Sequence, residues 1–192
     1  LKSHCYNVVS LEAVGRMIQN KEKIPPKTMA ITFDDGFKDN YTYAYPVLKK
    51  LGLPATIFLI YNEVGRPEND RLSWDQIKEM QESGLITFGS HTLGATPLVD
   101  IKSEAELRKQ IIDSKKLFED KLGIAVDTFC YVGGMFTPHI KDLVKEAGYK
   151  YAVITALGKE LPNDDIYASR RIGRSQNSDN LFRFWIRMGG YD

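Results

Sequence analysis

The chain alternates short apolar runs with longer stretches in which apolar residues recur at helical spacing. The short runs are rich in β-branched and aromatic residues, which is typical of strands buried in a sheet. They predict strands at 29–34, 55–60, 85–88, 128–132 and 151–154, with a further short strand near Ile172. The helical spacing predicts helices at 10–20, 40–51, 74–84, 103–123, 138–147 and 178–188. Because strands and helices alternate, the pattern indicates parallel βαβ units.

Several of these helices carry recognisable signals at their ends. Ser10 precedes the first helix as an N-cap, and Ser73 with Gln76 has the spacing of a capping box. Pro46 falls inside the 40–51 stretch and should bend or restart that helix, while Gly52 is placed to end it. The element boundaries therefore rest on chemistry as well as on periodicity.

Composition narrows the class of protein. The 192 residues are 43% hydrophobic and 27% charged, as in an ordinary globular domain, and we expect a single domain over 1–192. The net charge of +1 gives no overall attraction to nucleic acid. No apolar run reaches the roughly 18 residues of a membrane span. Two cysteines, Cys5 and Cys130, could pair or stay free.

Residues suited to catalysis follow three of the predicted strands. Asp34 and Asp35 come at the end of the 29–34 strand, His91 follows the 85–88 strand, and a Tyr-Val-Gly-Gly run begins at Tyr131. An Asp-Asp-Gly sequence is often only a turn. However, the carboxyl ends of parallel strands meet at one edge, where one carboxylate can face a metal and the other a water. The sequence therefore predicts a site there.

Several ordered motifs resemble the polysaccharide deacetylases of carbohydrate esterase family 4, the NodB-homology domains. They are Thr-Phe-Asp-Asp-Gly at 32–36, Pro-Ala-Thr-Ile-Phe at 54–58, Leu-Ser-Trp at 72–74, Gly-Ser-His-Thr at 89–92 and Phe-Cys-Tyr at 129–131. The resemblance implies an α/β fold, a distorted (β/α) barrel with seven rather than eight strands. It also implies a metal-dependent hydrolase of the extracellular space or cell surface. Such an enzyme removes N-acetyl groups from an amino-sugar polymer of the chitin, peptidoglycan or exopolysaccharide type.

The same resemblance assigns roles to individual residues. It makes Asp34 the general base, and Asp35 and His91 ligands of a divalent metal, typically zinc. Tyr131 and Gly133 would bind substrate, with a backbone N–H near Gly133 helping to hold the oxyanion.

The chain also departs from the family pattern. Where the family has a second histidine four residues after the first, this chain has Ala95. The family's third motif corresponds here to Cys-Tyr-Val-Gly-Gly at 130–134, in which Val132 replaces a proline and the family's arginine has no counterpart. The late histidine that supplies a general acid has no counterpart either. Only two of three expected ligands remain, with His139 and His4 as weaker substitutes. Arg170, Arg171 and Arg174 form a cluster that we interpret as solvated surface with one arginine near the site.

These departures leave other functions open. A degenerate family member could keep the cleft and bind carbohydrate without efficient hydrolysis, or Ala95 could be a substitution that disables an active enzyme. A phosphatase with Asp34 as nucleophile is disfavoured because such sites need one residue between the two acids. Tyr41 and Tyr45 could stack on sugars, although their spacing favours packing between neighbouring turns of a helix.

Overall fold

The computed structural model describes residues 6–155 and 165–172. Its strands are β1 (Asn7–Val8), β2 (Thr28–Met29), β3 (Thr32–Phe33), β4 (Ala55–Leu59), β5 (Ile86–Ser90), β6 (Thr128–Cys130) and β7 (Tyr151–Val153). Its α-helices are α1 (Leu11–Gln19), α2 (Tyr45–Leu51), α3 (Trp74–Glu82), α4 (Glu104–Arg108), α5 (Ser114–Leu122) and α6 (Pro138–Glu146). The predicted helix at 178–188 and Cys5 lie outside the described residues.

A parallel sheet in the order β3-β4-β5-β6-β7 forms the centre of the fold, and β1 and β2 form a separate parallel pair. The βαβ prediction is therefore confirmed. Beyond β7, Ser169 pairs in parallel with Val153. Two residues later, Arg171 donates to Thr32 Oγ1 on β3 at 3.1 Å. The chain thereby joins the two edges of a curled sheet, which is the distorted α/β barrel expected, although the main sheet of the described residues has five strands rather than seven.

The core is built around β4, all five residues of which are buried. A continuous apolar run is what a strand needs when it is covered on both faces. The helices around the sheet bury one face each, for example through Ile77 of α3, Phe118 of α5 and Leu143 of α6. None of the described helices combines the length and the hydrophobicity that a membrane span requires.

The predicted helix ends are confirmed. Ser10 accepts a hydrogen bond from Ala13 N, and Ser73 and Gln76 form a complete capping box. Residues Asn40–Ala44 form a π-helical turn, and α2 then begins with Pro46 in its first turn. A proline lacks the N–H that a helix interior needs but is tolerated at a helix start, which explains this restart.

Three features differ from the sequence-based expectation. In place of the short strand expected near Ile172, the described residues have only an isolated bridge at Ser169. The predicted 29–34 strand divides into β2 and β3, because β2 pairs with β1, a two-residue strand too short to leave a pattern. The long helix at 103–123 is interrupted by a π-helical segment, Lys109–Asp113, between α4 and α5. A π segment shifts the helix register by one residue, and here it carries the buried Gln110.

Candidate active site

Two acids stand where β3 ends and the chain turns. Asp35 and Gly36 both have left-handed backbone conformations, with φ of 68° and 65°. A Cβ at position 36 would lie 2.7 Å from Leu59 Cδ2, so both the φ value and the close packing require glycine there. The turn directs the carboxylates of Asp34 and Asp35 to different partners, as the Asp-Asp-Gly sequence predicts.

The carboxylate of Asp34 is paired with the guanidinium of Arg171. Nη1 donates to Oδ1 and Nη2 donates to Oδ2, both at 2.7 Å, and the two side chains are 25% and 15% exposed. Arg171 also donates from Nε to the carbonyl of Ile154 at 3.1 Å. Burial raises the pKa of Asp34, but the hydrogen bonds and charge of Arg171, with smaller contributions from His91 and Cys130, lower it further than burial raises it. Asp34 is therefore held ionised with a fixed orientation.

His91 follows β5 and is almost fully buried. Its Nδ1 lies 2.7 Å from the carbonyl oxygen of Cys130. A carbonyl can only accept, so Nδ1 carries the hydrogen and the lone pair of the neutral ring belongs to Nε2. Nε2 lies 3.6 Å from Asp35 Oδ1. One imidazole nitrogen and one carboxylate oxygen thus converge, and both are donor types that zinc accepts.

The other side chains near His91 are weaker candidates for metal ligands. Asp34, His91 and Cys130 each offer an atom within 4.8 Å of the others. However, Arg171 Nη2 donates to Cys130 Sγ at 3.2 Å. Burial raises the pKa of this thiol well above its ordinary value, although the charge of Arg171 opposes the rise. The residues fit a divalent metal through Asp35 and His91. Among the described members of the cluster, Asp34 has both oxygens bonded to Arg171 and Cys130 accepts from the same guanidinium, so neither is a strong third ligand.

The alternative histidines do not supply that ligand. His139 lies on the surface at the start of α6, where its Nε2 is 2.7 Å from Glu104 Oε2. His4 lies outside the described residues. Ala95, at the expected ligand position, is exposed in the loop after β5. That loop is fixed by Gln110, whose Oε1 accepts from Leu93 N and Gly94 N at 3.1 and 3.0 Å.

The segment 130–134 after β6 has a buried first part and a more exposed second part. Tyr131 is fully buried, and its hydroxyl donates to the carbonyl of Tyr167 at 3.0 Å. Packing leaves no part of the Tyr131 side chain accessible, and its expected role in substrate binding stays a prediction. Gly133 is exposed, with φ of 67°. At Gly134 a Cβ would overlap Thr155, so the turn depends on glycine there too.

Sequence reasoning placed Asp34, Asp35 and His91 at one edge of the sheet, and the structure brings them together there. It did not identify Arg171 as the partner of Asp34, since only a cluster of arginines was visible. It also missed Cys130 as a neighbour of the acid. The only signal for this contact in the sequence is the position of Cys130 at the end of a predicted strand.

Comparison with known proteins decides the family. A family model described as polysaccharide deacetylase matches residues 21–152, which is more than half of the chain. The chain belongs to the polysaccharide deacetylase family. The matched range contains Asp34, Asp35, His91 and Cys130 of the observed cluster.

Individual relatives agree with this membership. YxkH of Bacillus subtilis (strain 168), named as a polysaccharide deacetylase, is 32% identical over 172 residues, covering 90% of this chain and 60% of YxkH. The poly-β-1,6-N-acetyl-D-glucosamine N-deacetylase of Staphylococcus aureus (strain NCTC 8325 / PS 47) is 31% identical over 197 residues, covering 96% and 67%. The chain thus spans about three fifths to two thirds of these relatives.

Solved structures of deacetylases have the same fold. The Streptococcus pyogenes deacetylase PplD in complex with acetate superposes with a TM-score of 0.82 at 28% identity, covering 89% of this chain and 75% of PplD. IcaB from Ammonifex degensii superposes with a TM-score of 0.86 at 24% identity, covering 99% and 83%. The fold predicted from the motifs is therefore confirmed.

Proposed function

We propose that this chain is a metal-dependent hydrolase that removes N-acetyl groups from an amino-sugar polymer, releasing acetate and a free amine. One observation carries the proposal: an ionised carboxylate held by a guanidinium stands beside a carboxylate and imidazole pair at the carboxyl edge of the sheet. The family membership supports the same reaction. The substrate named for the staphylococcal relative, a β-1,6-linked N-acetylglucosamine polymer, is the first to test.

The residues divide the work of amide hydrolysis. Asp34 accepts the proton of the attacking water, and Arg171 keeps Asp34 ionised and oriented for this role. Asp35 and His91 would hold a divalent ion, with zinc as the favoured metal. When bound, the ion polarises the acetyl carbonyl and lowers the pKa of water. The backbone N–H of Gly133, in an exposed turn, is proposed to donate to the oxyanion.

The exposed, donor-free side chain of Ala95 favours a second candidate, a carbohydrate-binding protein with little hydrolytic activity. A catalytic zinc site commonly has about three protein ligands and one water. With two of these ligands, the ion is held less firmly, although additional waters can complete its coordination. In both candidates the proposed partner is an N-acetylated sugar polymer, and the proposal includes an extracellular or cell-surface location.

Acetate release tests the proposal directly. The purified chain is titrated with zinc while metal content and acetate from β-1,6 and β-1,4 N-acetylglucosamine oligomers are followed in the same samples. We expect zinc-dependent acetate release and a loss of about 10²- to 10⁴-fold in Asp34→Asn. Asp142→Asn, a change at an exposed carboxylate paired with Lys145, is the matched control and should retain activity. Saturable oligomer binding without acetate release at saturating zinc would instead establish the binding protein.

A further inference from the structure

The segment that carries the acidic pair also carries an exposed aromatic residue. Phe37 follows Asp34, Asp35 and Gly36 in the chain, and its ring is stacked on the guanidinium of Arg71, which lies 4.0 Å from the ring centroid. The residue is nevertheless 40% exposed. Single exposed apolar residues are common and need no special explanation. This one is connected through Arg71 to the backbone of the candidate metal ligand Asp35, which distinguishes it from scattered surface residues.

Arg71 fixes this ring relative to the site. Its Nη1 donates to the carbonyl oxygen of Asp35 at 2.9 Å, and its Nε lies 3.6 Å from Glu63 Oε2. The guanidinium is largely buried, so the contact with Phe37 does not depend on a mobile surface side chain. One planar group therefore touches both the backbone of a candidate metal ligand and the face of the aromatic ring.

The main chain holds the same two segments together. Phe37 and Arg71 form an antiparallel bridge. Lys38 N donates to Asp70 O at 2.8 Å, and Leu72 N donates to Gly36 O at 3.0 Å. These bonds clamp the segment after the acids against the segment before α3. The ring is thus preorganised, and a ligand that packs on it does not have to order it.

We propose that Phe37 is a stacking platform for a sugar ring of the polymer, in the subsite next to the sugar that loses its acetyl group. This inference rests on the proposed function for its substrate class. A β-linked N-acetylglucosamine ring carries its polar substituents around its edge, so its two faces present C–H groups. Such a face is apolar and flat enough to pack on an aromatic ring. The platform would recognise the polymer rather than the acetyl group.

Tyr43 provides a matched control within the same protein. It is 74% exposed and, together with Val47 and Leu51, lines an apolar groove between β3 and the helical segment that ends in α2. It is thus another exposed aromatic residue, placed on the helix rather than on the segment that carries the acids. If any exposed aromatic ring could hold sugar, Tyr43 would contribute as much as Phe37.

The test measures oligosaccharide binding by calorimetry in the Asp34→Asn background, so that turnover does not intervene. With a pentamer of β-1,6-linked N-acetylglucosamine, we expect Phe37→Ala to weaken binding about tenfold. Phe37→Trp should bind like the parent, since it keeps the platform, and Tyr43→Ala should have no effect. With the N-acetylglucosamine monosaccharide, Phe37→Ala and its parent should bind alike, because one sugar occupies only the acetyl subsite. Thermal unfolding verifies that each variant is folded.

The outcomes separate this inference from the proposed function. Equal pentamer affinities for Phe37→Ala and its parent would overturn the platform, whether or not the unsubstituted chain releases acetate. A deficit of the same size for the monosaccharide would also overturn it, because the change would then act on the acetyl subsite. A pentamer-specific deficit in a chain that releases no acetate would support the platform while the hydrolytic function fails.

Discussion

Replacing Arg171 by methionine removes the partner of Asp34 while keeping a long side chain in the same space. The native guanidinium makes two 2.7 Å bonds to the carboxylate and further bonds to Thr32 and Ile154. Methionine fills much of the volume but donates nothing. Asp34 is then left largely desolvated without a counter-charge, which is the state that buried carboxylates avoid by taking up a proton.

The expected loss of stability follows from this geometry. Breaking a buried ion pair by removing one partner costs about 3–5 kcal/mol. A quarter of the Asp34 side chain is exposed, and water reaching it reduces the penalty. We therefore expect a loss of about 2–3 kcal/mol in the free energy of unfolding at pH 8.

The loss should depend on pH in a defined direction. In the native chain the pKa of Asp34 is depressed, so its contribution to stability is present above the unfolded pKa and is lost as pH falls through the folded pKa. Without Arg171 the effect of burial remains, and the pKa rises above the unfolded value. The difference in stability between the two proteins should therefore grow from about pH 4 upward. The acid limb of the activity profile should move to higher pH.

Urea denaturation of both proteins between pH 4 and 8 measures this difference. Arg108→Met is the matched control, because Arg108 also pairs with a carboxylate through two bonds, of 2.7 and 2.9 Å to Glu146, but on the surface. An exposed pair is worth about 0–1 kcal/mol, and its loss should leave the acid limb of activity in place. A destabilisation by Arg171→Met that is constant over this pH range would refute the assignment of the pH effect to Asp34.

Three further changes test other parts of the site. Ala95→His should strengthen zinc affinity more than about tenfold in a zinc titration, because it restores a third ligand; an unchanged affinity would mean that position 95 does not face the ion. Gly134→Ala should lower the free energy of unfolding by about 1–3 kcal/mol, since its Cβ would overlap Thr155 and its φ of 70° strains alanine. Gln110→Leu should cost about 2 kcal/mol by leaving two N–H groups without an acceptor. Lys109→Leu, at an exposed position of the same π segment, should cost less than about 0.5 kcal/mol; equal costs would show that these bonds are not the cause.

The order of strands and helices could be predicted from sequence because it depends on local patterns. A buried run such as β4 and a capping box such as Ser73 with Gln76 carry their own signals within a few residues. The exceptions are elements that form because of contacts with residues far away in the sequence. The pairing of β1 with β2 and the π segment that carries Gln110 depend on contacts made elsewhere in the fold.

The site was predictable to the extent that strand ends meet at one edge of a parallel sheet. That rule places Asp34 and His91 together without any knowledge of their side-chain partners. The partner of Asp34 could not be predicted in this way, because 137 positions separate Asp34 from Arg171. Two neighbouring arginines, Arg170 and Arg171, are equivalent in the sequence, and only the register beside β7 decides which of them faces the acid. The burial of Tyr131 likewise involves a distant contact, because its hydroxyl donates to the carbonyl of Tyr167, 36 positions later.

The ion pair between Asp34 and Arg171 also helps to distinguish a hydrolytic site from one that only binds carbohydrate. A buried ion pair adds little net stability, because apolar residues of similar volume can replace it at no loss. The fold therefore does not need Asp34 and Arg171, whereas a base that must stay ionised in a partly buried place needs such a partner. Ala95 acts on a different property, since losing one ligand weakens the hold on an ion without disturbing the base. On the proposed assignment, the chain keeps the ionised base with its partner and lacks one metal ligand, which Ala95→His is designed to restore. This combination favours hydrolysis limited by metal affinity over simple carbohydrate binding.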